Sequence, residues 1–135
     1  MITLSQYVGI HKDSPDWTAE RKANAVELLG RVNALLGHLG RQGVPMQINP
    51  VTGSLVSGQT FGGFRPQSCP QGAPTSSHKI GQGVDLFDPR ENLDNAITTD
   101  LLIEFGLYRE APSATKGWAH LTTRPPKSGK RTFLP

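Results

Sequence analysis

The sequence predicts an α+β domain, a small mainly antiparallel sheet flanked by helices. Three observations predict it. One long stretch repeats apolar residues at helical spacing. Four short β-prone runs, at residues 44–48, 84–87, 107–110 and 118–122, are joined by turn-rich connections of mostly hairpin character. The 135 residues include 15 glycines and 11 prolines, which supply those turns. The length suits one domain, residues 1–135, and no repeat or long linker divides it.

Residues 1–13 read as an irregular arm. Ser14-Pro15 has the form of an N-cap with Pro at the first helical position, and a helix is predicted from there to about Leu39. Ala25, Leu28, Leu29, Val32, Leu35, Leu36 and Leu39 form its apolar stripe. Glu27 and Arg31 make a favourable i,i+4 pair on the other face, and Gly40 reads as the C-cap. His38 reads as a surface residue beside the helix end.

Residues 44–48 are expected to form a strand, and 49–63 a loop or hairpin rich in Gly, Ser and Thr. A second turn-rich stretch spans 67–75. Residues 84–87 are a strand closed by Asp88-Pro89. Asn92 or Asp94 caps a second helix running to about Phe105, with Ile97, Leu101 and Phe105 on one face and Gly106 as its stop. Strands are expected at 107–110 and 118–122, with a Pro/Gly/Lys tail over 124–135.

The net charge of +3 fits an acidic polymer or surface as partner. No Lys/Arg-rich run with interleaved aromatics supports a nucleic-acid partner. Cys69 is the only cysteine, so no internal disulfide forms. The N-terminus has no basic region followed by an apolar run, so no signal peptide is expected, and no segment is expected to span a membrane. The sequence leaves the oligomeric state open.

The chemistry centres on Ser76-Ser77-His78-Lys79-Ile80-Gly81-Gln82-Gly83-Val84-Asp85. Asp85 lies inside an apolar strand, where a carboxylate is costly unless it is paired or bound to a metal. Gly81 and Gly83 allow the tight turn that brings His78 and Asp85 to one ion. His120 is the candidate third ligand, because Trp118, His120 and Thr122 share one face of a strand. His-Asp-His leaves one position open, which is a catalytic zinc pattern, and a bound Zn2+ lowers the pKa of water to about 7. The bland reading keeps His78 as a turn residue and His120 as a half-buried strand histidine.

The run from Ser76 to Asp85 resembles the S-x-H-x-x-G-x-A-x-D signature of the zinc D-alanyl-D-alanine carboxypeptidase family, which includes phage endolysin peptidases and shares the hedgehog/DD-peptidase fold. Gly63-Phe64-Arg65-Pro66 is similar to the family's S-G-Y-R-P run. Gly72-Ala73 before Ser76-Ser77-His78 is similar to its G-A-x-x-S-x-H run. Gly117-Trp118-Ala119-His120-Leu121 and Ser128-Gly129-Lys130-Arg131-Thr132-Phe133 resemble the phage-type ending. The resemblance implies zinc on His78, Asp85 and His120. Arg65 is implied to hold a substrate carboxylate or carbonyl, with Ser76 supporting it. The implied substrate is a peptidoglycan stem peptide, cut by a carboxypeptidase or endopeptidase made in the host cytoplasm and acting at the cell wall or within a virion.

The chain departs from the family at the general base. Many members carry Glu three residues before the last His, here Gly117; others carry Asp two residues after it, here Thr122. Glu110 is the substitute expected from the sequence, because a hairpin joining 107–110 to 118–122 sets it opposite or near His120. The alternative role for Glu110 is a solvent-facing partner of Arg109 or Lys116. Asp88 and Glu104 are weaker candidates for the base. The alternative function is a non-catalytic, zinc-containing wall-binding or virion-associated protein of the same fold.

Overall fold

The computed structural model describes all residues from Met1 to Pro135. In chain order the helices are α1 (Leu4–Val8), α2 (Ala19–Arg41), α3 (Asn92–Ala96) and α4 (Thr99–Phe105). The strands are β1 (Gly83–Phe87), β2 (Tyr108–Glu110), β3 (Trp118–Thr122) and β4 (Thr132–Phe133). The class is α+β, as the sequence predicts. The sheet is mixed rather than mainly antiparallel. Its order is β1-β3-β2-β4, with β3 antiparallel to β1 and β2, while β4 runs parallel to β2. The parallel pair arises because the chain reverses after β3 and passes β2 to reach its free edge, so β4 runs opposite to β3 and therefore along β2. That edge strand lies in the stretch read as a tail.

The α2 stripe is buried as its spacing requires: all seven predicted apolar positions are in the core. They pack with one face of the sheet, including Val84, Leu86, Ala119 and Leu121, in one cluster of 21 buried residues. Each fully buried Leu of this stripe contributes about 1.5–3 kcal/mol by leaving water. The opposite face of the sheet, offset by one residue, carries Asp85 and His120. The core face thus fixes which side chains reach the other side.

Several boundaries differ from the sequence reading, each for a local reason. Residues 1–13 hold α1 and a 3-10 turn, Gly9–His11. Thr3 and Gln6 form a reciprocal capping box there, a signal too short to show periodicity. α2 starts later than Pro15, because Ser14 closes a preceding turn and the Thr18 hydroxyl accepts the Arg21 N–H. Gly40 remains helical; the chain leaves the helix at Gln42 and Gly43, the latter in the left-handed region. Residues 44–48 pair with no strand. The helix predicted to run from 92 to 105 breaks at Ile97 and Thr98, where Thr98 caps α4. Neither Asn92 nor Asp94 caps α3. Asp88 does so from outside, accepting the N–H groups of Leu93 and Asp94 at 3.0 Å each.

Asp94 is buried, with Oδ2 accepting from the Thr115 hydroxyl and Oδ1 without a hydrogen-bond partner. Burial pushes its carboxyl up from 3.8 to about 6, against the Thr115 hydrogen bond and the Arg109 charge, with Asp88 and Glu91 adding repulsion. The folded protein therefore holds this proton to higher pH than the unfolded chain does. The associated stability is fully present below about 3.8 and is lost as pH rises to about 6. Asp94→Asn removes that titration. Its melting temperature relative to the wild type is expected to rise by about 3–5 °C, on the order of 1 kcal/mol, between pH 4 and pH 7. A difference that stays constant over this range in calorimetry would show that Asp94 does not titrate there.

Candidate metal centre

Three elements bring the predicted ligands together. A 3-10 turn, Ser77–Ile80, carries His78, β1 carries Asp85, and β3 carries His120. Asp85 and His120 are directly opposed across the antiparallel β1–β3 pair, so their side chains share a face. Gly81 ends the 3-10 turn at φ +77°, and a Cβ there would lie 2.4 Å from the Arg21 carbonyl oxygen of α2. The Asn24 side chain donates to the Ile80 carbonyl at 2.9 Å. The turn that presents His78 is therefore seated directly on the long helix.

The side chains are oriented atom by atom. His78 Nδ1 donates to the Gly63 carbonyl at 2.8 Å, which directs Nε2 to Asp85 Oδ1 at 3.3 Å. His120 Nδ1 lies 2.7 Å from the same oxygen, and its Nε2 lies 3.5 Å from the Ser77 hydroxyl. Gly83 leaves room for that hydroxyl, since a Cβ at 83 would approach Ser77 Oγ to 2.3 Å. Asp85 Oδ2 accepts from Arg65 Nη2 at 3.2 Å, and Arg65 Nε donates to the Phe61 carbonyl. Burial pushes the Asp85 carboxyl up, but the charges and hydrogen bonds of His78 and His120 outweigh it and hold the carboxyl below the usual range.

One ligand atom from each of His78, Asp85 and His120 lies within 4.8 Å of the others. Ligands about 2.1 Å from a tetrahedral ion sit about 3.4 Å apart, so small side-chain movements close the set on one ion. Both histidines are buried, and the Asp85 side chain is 13% exposed. Two neutral imidazoles and a carboxylate are a donor set for a divalent transition metal, and the group can bind such an ion.

The site opens into a cleft of about 750 Å³ whose wall includes Arg65, Ser76, Glu110, Trp118 and Arg124. Ser76 caps the 3-10 turn by accepting the His78 N–H. The β2–β3 pairing, Tyr108 to Thr122 and Arg109 to Leu121, ends one residue short of Glu110, which lines the same cleft as His120. Glu110 in turn pairs with Phe133 of β4. Asp85 and His120 are thus paired across β1 and β3, Glu110 and Phe133 across β2 and β4, and all four line the cleft. Glu110 makes no ion pair; Lys116 instead approaches Glu91. Asp88 is engaged in capping α3, and Glu104 is exposed on α4, so neither faces the cleft.

Phe133, Arg124 and Lys127 also line the cleft, and the sequence reading missed them. The alternation Trp118, His120, Thr122, Arg124 was a usable signal for Arg124. Phe133 had no signal in periodicity, since two residues of parallel edge strand leave none; only its place in the run Ser128–Phe133 pointed to it. Of the other histidines, His11 bonds the Thr60 carbonyl and His38 packs against Phe105. No helix is long and apolar enough to cross a membrane. No protein-family model, curated protein or solved structure matches the chain.

With zinc as the probe ion, the full chain is expected to load one ion, and saturation at a hundredfold excess over Kd to add about 2.7 kcal/mol of stability. His120→Ala is expected to lose most of this loading, and His38→Ala none of it. Equal zinc content in the wild type and His120→Ala after equilibrium dialysis would remove His120 from the ligand set.

Proposed function

We propose that this protein is a zinc-dependent peptidase that cleaves peptide bonds in bacterial peptidoglycan stem peptides. In this reading it is a phage-lysin-like member of the zinc D-alanyl-D-alanine carboxypeptidase family with a hedgehog/DD-peptidase fold. The observation that carries the reading is the His78–Asp85–His120 cluster, which opens into a cleft that Glu110 also lines. The motif from Ser76 to Asp85 supports it, because its spacing is what the fold converts into that cluster.

His78, Asp85 and His120 would hold the zinc, which when bound supplies a Lewis acid that makes water nucleophilic near neutral pH. Glu110 takes a proton from the attacking water as the new C–O bond forms. It then delivers that proton to the amine nitrogen as the C–N bond breaks. Support for this role is that Glu110 ends the strand next to that of His120 and lines the same cleft. Arg65 uses two of its five N–H donors on Asp85 and Phe61, leaving others for a substrate carbonyl or carboxylate. Ser76, on the same wall, supports substrate with its hydroxyl. Such an enzyme is made in the host cytoplasm and acts at the cell wall or from within a virion.

One observation favours a second reading, a non-catalytic zinc-containing protein that binds the wall or belongs to a virion. Neither usual base position carries a carboxylate. Gly117 sits at φ +88°, a conformation that disfavours Glu, and the Thr122 hydroxyl is engaged by the Arg124 N–H.

Purified peptidoglycan separates the two. The zinc-loaded wild type is expected to release stem-peptide fragments, identified by mass spectrometry, and chelation to stop their release. Glu110→Gln is expected to keep zinc and melting temperature while slowing release by about 10²–10⁴-fold. Absence of fragments with the loaded wild type rejects the peptidase. Unchanged release by Glu110→Gln rejects Glu110 as the base.

A further inference from the structure

The cleft has two ends along β3. Trp118 lies at one, His120 in the middle, and Thr122 leads to Arg124 at the other. Arg124 is held there by its surroundings. Its N–H is accepted by the Thr122 hydroxyl at 3.0 Å, and its Nη1 donates to the Thr75 carbonyl on the facing wall. Pro125 and Pro126 follow, and both line the cleft. Two consecutive prolines fix φ and keep the backbone extended, so the arginine is presented on a stiff support. Arg124 is half-buried, and Lys127 is exposed beside the same end.

These two cations differ from Arg65. Arg65 has the Asp85 carboxylate at 3.2 Å, whereas neither Arg124 nor Lys127 has a carboxylate within 4.0 Å. A guanidinium has five donors in a rigid fork, and the Thr75 carbonyl engages one of its nitrogens. A half-buried fork with free donors, aimed into a cleft and without a counter-ion, is matched to a planar carboxylate.

We infer that Arg124, assisted by Lys127, forms a specificity subsite for a carboxylate-bearing residue of a peptide ligand, on the side of the metal cluster away from Trp118. The inference rests on the peptidase reading only in taking that peptide to be the substrate. β-strands rise about 3.3 Å per residue, so Arg124 lies within about 13 Å of His120 along the chain. The carboxylate is therefore expected up to about four residues from the bond placed at the metal. This selects acidic peptides and fixes the direction in which one lies along β3.

The test uses five-residue peptides with capped termini, each carrying a single Glu at one position, and a matching set with Gln. Binding to the zinc-loaded full chain is read by titration calorimetry on Glu110→Gln, and hydrolysis is read on the wild type. At one position, Glu is expected to bind about tenfold more tightly than Gln, a preference that shrinks in high salt. Arg124→Gln abolishes this preference, Arg124→Lys keeps part of it, and Lys130→Gln leaves it intact. If Arg124→Gln fails to fold by melting temperature, Arg124→Lys and Lys127→Gln carry the test through a reduced preference. Equal binding of Glu and Gln peptides at every position overturns the subsite, as does a preference that survives Arg124→Gln. Hydrolysis without a Glu preference overturns the subsite alone. A Glu preference without hydrolysis of any peptide or of peptidoglycan supports the subsite and overturns the peptidase.

Discussion

The Asp85 carboxylate sets the terms for everything around it. It sits in the central run of a strand whose flanking residues, Val84 and Leu86, are fully buried. A charge in that position costs several kcal/mol unless partners surround it. Here Oδ1 meets both imidazoles and Oδ2 meets a guanidinium. Four parts of the chain must therefore arrive together: the turn at His78, β1, β3 and the loop carrying Arg65. The ligand cluster is also the junction that ties those loops to the sheet. Removing one partner leaves a buried charge short of a neighbour, so changes at this site are expected to touch stability as well as metal binding.

That junction is steadied from the core side. α2 holds the 3-10 turn through Gly81 and Asn24, and α1 reaches the site through Tyr7, whose hydroxyl donates to the Gly83 carbonyl at 2.9 Å. Burial raises the Tyr7 hydroxyl far above its ordinary pKa, so it remains a donor at any working pH. The Tyr7 backbone carbonyl in turn accepts the Phe64 N–H, and the carbonyl of the adjacent Gly63 orients His78. A five-residue helix at the N-terminus therefore helps to place the ring of a residue 71 positions along the chain from Tyr7.

What was legible in the sequence follows from where each signal resides. The α2 stripe, β1 and β3 were readable because periodicity extends over five or more residues and reports burial directly. His78, Asp85 and His120 were readable because strand alternation and one tight turn suffice to bring them to one face. α1, the break at Ile97–Thr98 and β4 were not. Their formation depends on caps and on tertiary partners: a capping box at Thr3, a second cap at Thr98, and a neighbouring strand edge for Thr132 and Phe133. Residues 44–48 show the converse, a β-prone composition that finds no partner strand. Propensity describes a chain by itself, whereas a strand exists only in a pair.

The order β1-β3-β2-β4 has a consequence for the chemistry. Because β3 is interior, His120 has a strand on each side: Asp85 faces it from β1, and β2 on the other side ends in Glu110, which lines the same cleft. The acidic side chains flanking it differ in environment. Asp85 is held ionised by partners on both oxygens, while Glu110 makes no ion pair and lines the open cleft. One carboxylate is committed to the cluster, and the other faces the cleft without a cationic partner. Phe133 stands beside them, its ring edge-on to that of His120 with centroids 6.4 Å apart. The two-residue strand β4 thus contributes Phe133 to the cleft wall, which is why a segment that reads as a tail belongs to the site.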